Sequence, residues 1–163
     1  AKSLKKCQLI IDIQGDEPLI DPNHIDQVIK FHQRNKLSDI ILPHLKISYG
    51  DNNNIVKVLT DINDNVLFLS RSKLPLEFRS NNKYYKKHLS IISFKPDALK
   101  KFNTFKKTPL EKSEDVELLR ALEIGLKIKT IALKGDSFSV DVFDDYKKAK
   151  EKFKKDKFLK KYK

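Results

Sequence analysis

A single cysteine, Cys7, leaves this chain unable to form an internal disulfide or to build a thiolate zinc site. No apolar run approaches the ~18 residues of a membrane-crossing helix. Nor do the first residues carry an apolar segment followed by a small-residue cleavage site. A soluble, cytoplasmic protein with no membrane insertion is therefore expected. Methionine is absent, position 1 included, and the chain moves almost at once into an apolar strand, so it reads as part of a longer protein. Arginine is confined to four residues while lysine and asparagine run high, a bias spread through the whole chain. No internal repeat or low-complexity linker divides the 163 residues, of which 39% are hydrophobic. That length and content suit one domain with a real core, residues 1–163, ending in a lysine-rich helix or tail over 147–163.

The net charge of +12 points first toward nucleic acid, but its distribution points elsewhere. Residues 147–163 hold ten lysines against Glu151 and Asp156, so most of the excess belongs to the tail. Phe153 and Phe158 sit among those lysines at nearly helical spacing, which predicts a terminal helix laying one thin apolar stripe on the core. Nucleic-acid binding would need cationic and aromatic residues away from the tail, and few are present; no nucleic-acid partner is expected.

Along the chain, residues 8–13 read as a strand buried on both faces, as in a parallel sheet. Asp21 followed by Pro22 reads as an N-cap and first helical position. Ile25, Val28 and Ile29 carry the helical stripe, which ends near Arg34. Residues 38–48 alternate in polarity and include Pro43, which predicts an edge or bulged strand. Residues 55–60 and 66–70 flank D61-I-N-D-N65, a hairpin signature. Residues 72–87 read as a long irregular loop of the kind that carries function. His88–Phe94 predicts a strand, Pro96 opens a short helix, Leu110–Ile124 an amphipathic helix closed by Gly125, and 127–133 a last strand. The loop 134–141 leads to the final helix. Interleaved strands and helices predict a single α/β domain around a mixed sheet.

The acidic stretch Q14-G-D-E-P18 raises a chemical question. An apolar strand ending in two carboxylates must hydrate them, pair them or offer them to a cation. In open α/β sheets ligands sit beyond the carboxyl ends of the strands, where Asp16 falls. A magnesium ion would need a second acid, and Asp141, also on a loop leaving a strand, is the candidate. Plainer readings stand beside these. Asp16 and Glu17 fit an Asx-type turn ahead of Pro18, and Asp141 fits an N-cap with Asp144 three residues on. Asp12 would be hydrogen-bonded within its strand, His88 would be a structural histidine, and Glu111, Glu114 and Glu117 would form one solvated helix face.

Five segments in order narrow the choice: IIDIQGDEPLIDP, NNIVKVL followed by FLSRSKLP, HLSIISF, PLEKSEDVELLRALEIG and SVDVFDDYKKA. Together they resemble the 3-deoxy-manno-octulosonate cytidylyltransferase (CMP-Kdo synthetase) family, over its C-terminal two thirds. The basic loop with which that family grips the triphosphate has no counterpart before Asp16. The resemblance implies a nucleotidyltransferase-like, Rossmann-related three-layer fold. It also implies a homodimer that transfers CMP from CTP to a 3-deoxy-ulosonic acid for lipopolysaccharide assembly, releasing pyrophosphate. It implies that Asp16 and Asp141 are the catalytic, Mg²⁺-holding carboxylates, and that Gln14, Arg71, His88 and Glu117 line the substrate pocket. Without the basic loop, residues 1–163 alone are expected to be weak or inactive as a catalyst. Ile92 stands where the family commonly has a tyrosine, and Leu118 where it commonly has a glutamine. These departures favour a less hydroxylated or differently substituted relative of Kdo, such as an 8-amino or sialic-type acid, or relaxed selectivity among them; the family assignment itself implies Kdo or a close analogue. A non-catalytic dimerisation or binding remnant of the fold is the competing reading.

Overall fold

Asp21 accepts a hydrogen bond from Asn23 N (3.0 Å) and Pro22 fills the first helical position, so α1 (Pro22–Arg34) begins where its local chemistry dictates. The computed structural model describes residues 7–48, 52–76, 78–79, 84–156 and 158–159. Within them, β1 (Ile10–Ile13) and α1 are followed by strands β2 (Ile40–Ser48), β3 (Lys57–Thr60), β4 (Val66–Ser70), β5 (Tyr84–His88) and β6 (Ile91–Phe94). Then come α2 (Pro96–Thr104), α3 (Pro109–Glu114), α4 (Leu118–Glu123), β7 (Ile128–Leu133) and α5 (Phe143–Phe153).

The strands form one mixed sheet in the order β1-β6-β2-β5-β3-β4, with β7 paired to β2. Only the β2–β7 pair is parallel, from Ile40↔Ile128 to Leu45↔Leu133; the other pairs are antiparallel. Helices cover both faces. Ile41 and Leu45 of β2 join α1's Val28 and β7's Leu133 in one core. Ile40 and Leu42 join Phe102, Leu118, Leu119 and Ile128 in the other. Burial of that apolar surface at ~25 cal/mol per Å² is the main source of stability.

Several expectations are corrected. β1 is an edge strand, antiparallel to β6, with Ile13 45% exposed, so it is not buried on both faces. The edge position also leaves Asp12 exposed, with no side-chain hydrogen bond among the described residues. β2, read as an edge because of Pro43, is central. Pro43 O accepts from Leu89 N (3.0 Å), so its missing donor faces the break between β5 and β6, where no ladder bond is lost. That break also splits the single strand expected over 88–94, and β5 extends into the stretch read as loop. Asp115, in a left-handed conformation at φ 51°, divides the helix expected over 110–124 into α3 and α4. α5 stops at Phe153, so Phe158 does not continue its stripe; the far end of the lysine-rich tail, residues 160–163, lies outside the described residues.

Burial has a consequence for acid stability. His44 lies inside β2, with Nδ1 2.7 Å from Thr130 Oγ1. Burial, aided by the nearby Lys86 ammonium, lowers its pKa to about 4. The folded protein therefore keeps His44 neutral where an unfolded imidazole, near 6.5, takes a proton. The unfolded state binds more protons between those values, so stability is lost as pH falls from 6.5 toward 4, by roughly 3 kcal/mol from this residue. Burial also lowers the pKa of His32 and His88, with the same sign. Urea midpoints measured from pH 7 to 4.5 should fall, and His44→Gln should flatten the slope; an unchanged slope would refute the assignment.

Candidate active site

β1 ends at Ile13, and Gln14 N still reaches Ser90 O (3.1 Å), holding the strand's exit against the β5–β6 joint. The chain then turns through Gly15–Pro18. Asp16 is exposed on this turn, and its carbonyl accepts a hydrogen bond from Val140 N (2.8 Å). That backbone bond holds the loop after β7 against the acidic turn, and Asp16 and Asp141 both line one cleft of about 220 Å³. α5 begins one residue beyond Val142, whose N–H points to Asp145 Oδ2 (3.4 Å). Asp141 is therefore not the helix cap.

Gln14, Asp16, Arg71, His88, Glu117 and Asp141 all line this cleft. They come from the end of β1, the end of β4, β5, the α3–α4 junction and the loop before α5. Gln14 Nε2 donates to Glu117 Oε1 (3.3 Å), joining two of them directly. His88 Nδ1 lies 2.6 Å from Leu89 O. A carbonyl only accepts, so Nδ1 carries the proton and Nε2 is left as an acceptor. Burial lowers this imidazole's pKa, opposed by the Leu89 carbonyl and by Glu17 and Asp16. Arg71 is occupied by backbone carbonyls. Its guanidinium donates to the carbonyls of Glu114 (3.0 Å), Asn54 (3.3 Å), Asn53 (3.4 Å) and Asp115 (3.3 Å). It thereby holds the 52–54 turn and the α3–α4 junction together as one wall.

The three glutamates expected on a solvated helix face have separate environments, and Asp115 breaks the helix between Glu114 and Glu117. Glu111 is buried against Arg120 (3.1 Å), and Glu114 accepts from Ser70 Oγ (2.7 Å) and Arg71 N (2.9 Å). Glu117 is the one at the cleft. Glu17, read only as a turn residue, is 3% exposed and accepts from both Ser90 Oγ (3.1 Å) and Ser137 Oγ (2.7 Å). Two adjacent carboxylates after an apolar strand were the only sign of it in the sequence, and nothing there distinguishes the buried one from the exposed one.

Asp16 and Asp141 make no side-chain hydrogen bond or ion pair among the described residues, and no group of three or more ligating side chains gathers there. Carboxylate oxygens are ligands of the kind Mg²⁺ takes, together with waters and phosphate oxygens, so Asp16 and Asp141 are the residues of this cleft that could hold it. Among the described residues no helix is long and apolar enough to cross a membrane.

Known proteins resemble this chain in sequence and in fold. The sequence profile of the family described as cytidylyltransferase matches residues 2–128. The 3-deoxy-manno-octulosonate cytidylyltransferase of Leptospira interrogans serogroup Icterohaemorrhagiae serovar Lai (strain 56601) is 36% identical over 162 residues, covering 98% of this chain and 65% of that protein. The enzyme of the same name from Solibacter usitatus (strain Ellin6076) is 34% identical over 160 residues, covering 93% and 62%. The chain thus spans about 65% of the length of the first of these relatives. A solved structure of CMP:2-keto-3-deoxy-manno-octonic acid synthetase complexed with CTP superposes with a TM-score of 0.85 at 23% identity, covering 92% of this chain and 63% of the other; it shares the fold.

Proposed function

Given that this chain belongs to the cytidylyltransferase family, we propose that it forms the sugar-acid and metal side of an enzyme that transfers CMP from CTP to a 3-deoxy-ulosonic acid, Kdo or a close analogue. The products are the CMP-sugar and pyrophosphate, the reaction belongs to lipopolysaccharide biosynthesis, and its setting is the cytoplasm. The relatives' names support the reaction. The observation that carries the site is the convergence of six side chains from distant segments on one cleft, with two unpaired carboxylates on the same turn-to-loop contact.

In the proposed reaction the anomeric hydroxyl of the sugar acid attacks the α-phosphorus of CTP and pyrophosphate leaves. Asp16 and Asp141 would hold Mg²⁺, which when bound neutralises phosphate charge and lowers the pKa of a bound hydroxyl. The neutral His88 imidazole accepts a hydrogen bond from a sugar hydroxyl at Nε2. Gln14 and Glu117, already paired, present one amide and one carboxylate to hydroxyls or to the nucleotide. Arg71 engages the sugar carboxylate by exchanging its Nη1 contacts, to Asn53 and Asn54, for a carboxylate oxygen. Catalysis of this kind is mainly positioning and charge neutralisation.

Ile92 and Leu118 line the same cleft, at 1% and 2% exposure, and give it an aliphatic floor. An aliphatic wall discriminates by only ~1–3 kcal/mol per methylene-sized difference. In a protein of the relatives' full length that carries this chain, kcat/KM should therefore differ by less than ~100-fold between Kdo and an 8-amino analogue. A nine-carbon sialic-type acid completes the panel. A preference for Kdo above ~100-fold would remove the specificity role from these two residues. Turnover with none of the three would favour the binding remnant.

Homodimerisation is part of the proposal. Its support is exposed apolar surface on the β3–β4 hairpin, where Ile62 is 99% and Leu67 61% exposed. Sedimentation of the full-length protein as a monomer at micromolar concentration would count against it.

A further inference from the structure

We propose that Glu17 is a positioning residue that clamps the Asp141 loop onto the Asp16 turn through Ser137, so that the two cleft carboxylates meet. This rests on the reading of Asp16 and Asp141 as the metal pair. Glu17 follows Asp16 directly and borders the same cleft, but where Asp16 is exposed Glu17 is buried, at 3% exposure. One oxygen, Oε1, accepts from Ser90 N (3.4 Å) and Ser90 Oγ (3.1 Å) at the β5–β6 joint. The other, Oε2, accepts from Ser137 Oγ (2.7 Å) in the loop after β7. Ser137 is held a second time, since its carbonyl accepts from Lys87 Nζ (3.0 Å), a lysine only 8% exposed.

The loop from Lys134 to Val142 has no regular structure of its own. Besides the Val140–Asp16 backbone bond, the Glu17–Ser137 bond is its short link to the acidic turn, and it lies four residues before Asp141. A buried carboxylate costs several kcal/mol to desolvate unless its lone pairs are satisfied. Here that demand is met by groups from two other segments, so moving the loop would strand one carboxylate oxygen. Hydrogen-bonded partners that orient a metal's ligands change metal affinity by ~10–100-fold when removed.

Ser137→Ala removes the link from the loop side at a half-buried position, sparing the core. It should speed amide hydrogen exchange across residues 134–141 while leaving α1 and β2 unchanged. It should also weaken Mn²⁺ binding by at least ~10-fold, read by electron paramagnetic resonance with the metal alone, and raise the Mg²⁺ concentration for half-maximal turnover with little change in kcat at saturation. Ser137→Thr, which keeps the hydroxyl, should restore both readouts. Ser90→Ala leaves Glu17 anchored by Ser90 N and should move neither. Unchanged loop exchange in Ser137→Ala, or faster exchange with unaltered Mn²⁺ affinity, would overturn the inference. If the unmodified protein binds no Mn²⁺, the metal reading fails by itself, and the exchange pattern then decides whether the clamp exists.

Discussion

Asp16→Asn and Asp141→Asn should each lower turnover of the full-length protein by ~10²–10³-fold or more while leaving thermal stability nearly unchanged. The substitution keeps the side-chain volume and removes one anionic ligand from a hard cation. Both carboxylates are exposed and lack hydrogen-bond or ion-pair partners among the described residues, so folding does not depend on their charge. A capping role makes the opposite forecast for Asp141: a loss of ~0.5–2 kcal/mol in stability with activity spared. The position of Val142 at the start of α5 argues against that outcome. Parallel measurement of kcat and of the melting temperature separates the two. Retained activity in either variant would remove that residue from the metal pair.

The second large effect is on stability, from a pair that does not line the cleft. Glu111 and Arg120 form an ion pair (3.1 Å) with side chains 3% and 16% exposed. The guanidinium lies 4.0 Å from the centroid of the Phe102 ring, and Nη1 donates to Phe105 O (2.8 Å). Glu111 also draws in Thr108 N (3.3 Å) at the start of α3. Glu111→Ala leaves the cation in an apolar setting with its counter-charge gone, and should cost about 3–5 kcal/mol. Removing both charges, as Glu111→Leu with Arg120→Met, should recover most of that loss, because two desolvated charges are replaced by packing atoms. Urea unfolding of the two variants gives the comparison. A loss under ~1 kcal/mol for Glu111→Ala would mean that water reaches the pair and screens it.

Legibility in the sequence followed the range of the forces involved. α1 was readable because its start is local: an Asp-Pro pair and a 3.6-residue stripe within thirteen residues. The hairpin over 55–70 was readable for the same reason. The place of β1 in the sheet was not, since a short, mostly apolar strand looks alike at an edge or at the centre, and only pairing decides. β5 was missed because YYKKH reads as surface. Lys87 is nonetheless buried, its stem packed inside and its ammonium satisfied by Ser137 O (3.0 Å). Asp115 gave no warning of its left-handed backbone, so one helix was expected where the chain makes two. Among site residues, Asp16 and Asp141 stood out as acids at strand exits. Glu17 did not, because its partners Ser90 and Ser137 are 73 and 120 residues away in the chain.

The most direct test of CMP transfer in this cleft is ³¹P NMR of the full-length protein with CTP, Kdo and Mg²⁺. The predicted result is conversion of the CTP α-phosphorus signal to that of a CMP-sugar phosphodiester, with one pyrophosphate per transfer. Conversion should require both the sugar acid and the metal, and should be lost in Asp16→Asn. CTP and Kdo that bind yet stay unreacted, or pyrophosphate release that proceeds equally without the sugar acid, would contradict it.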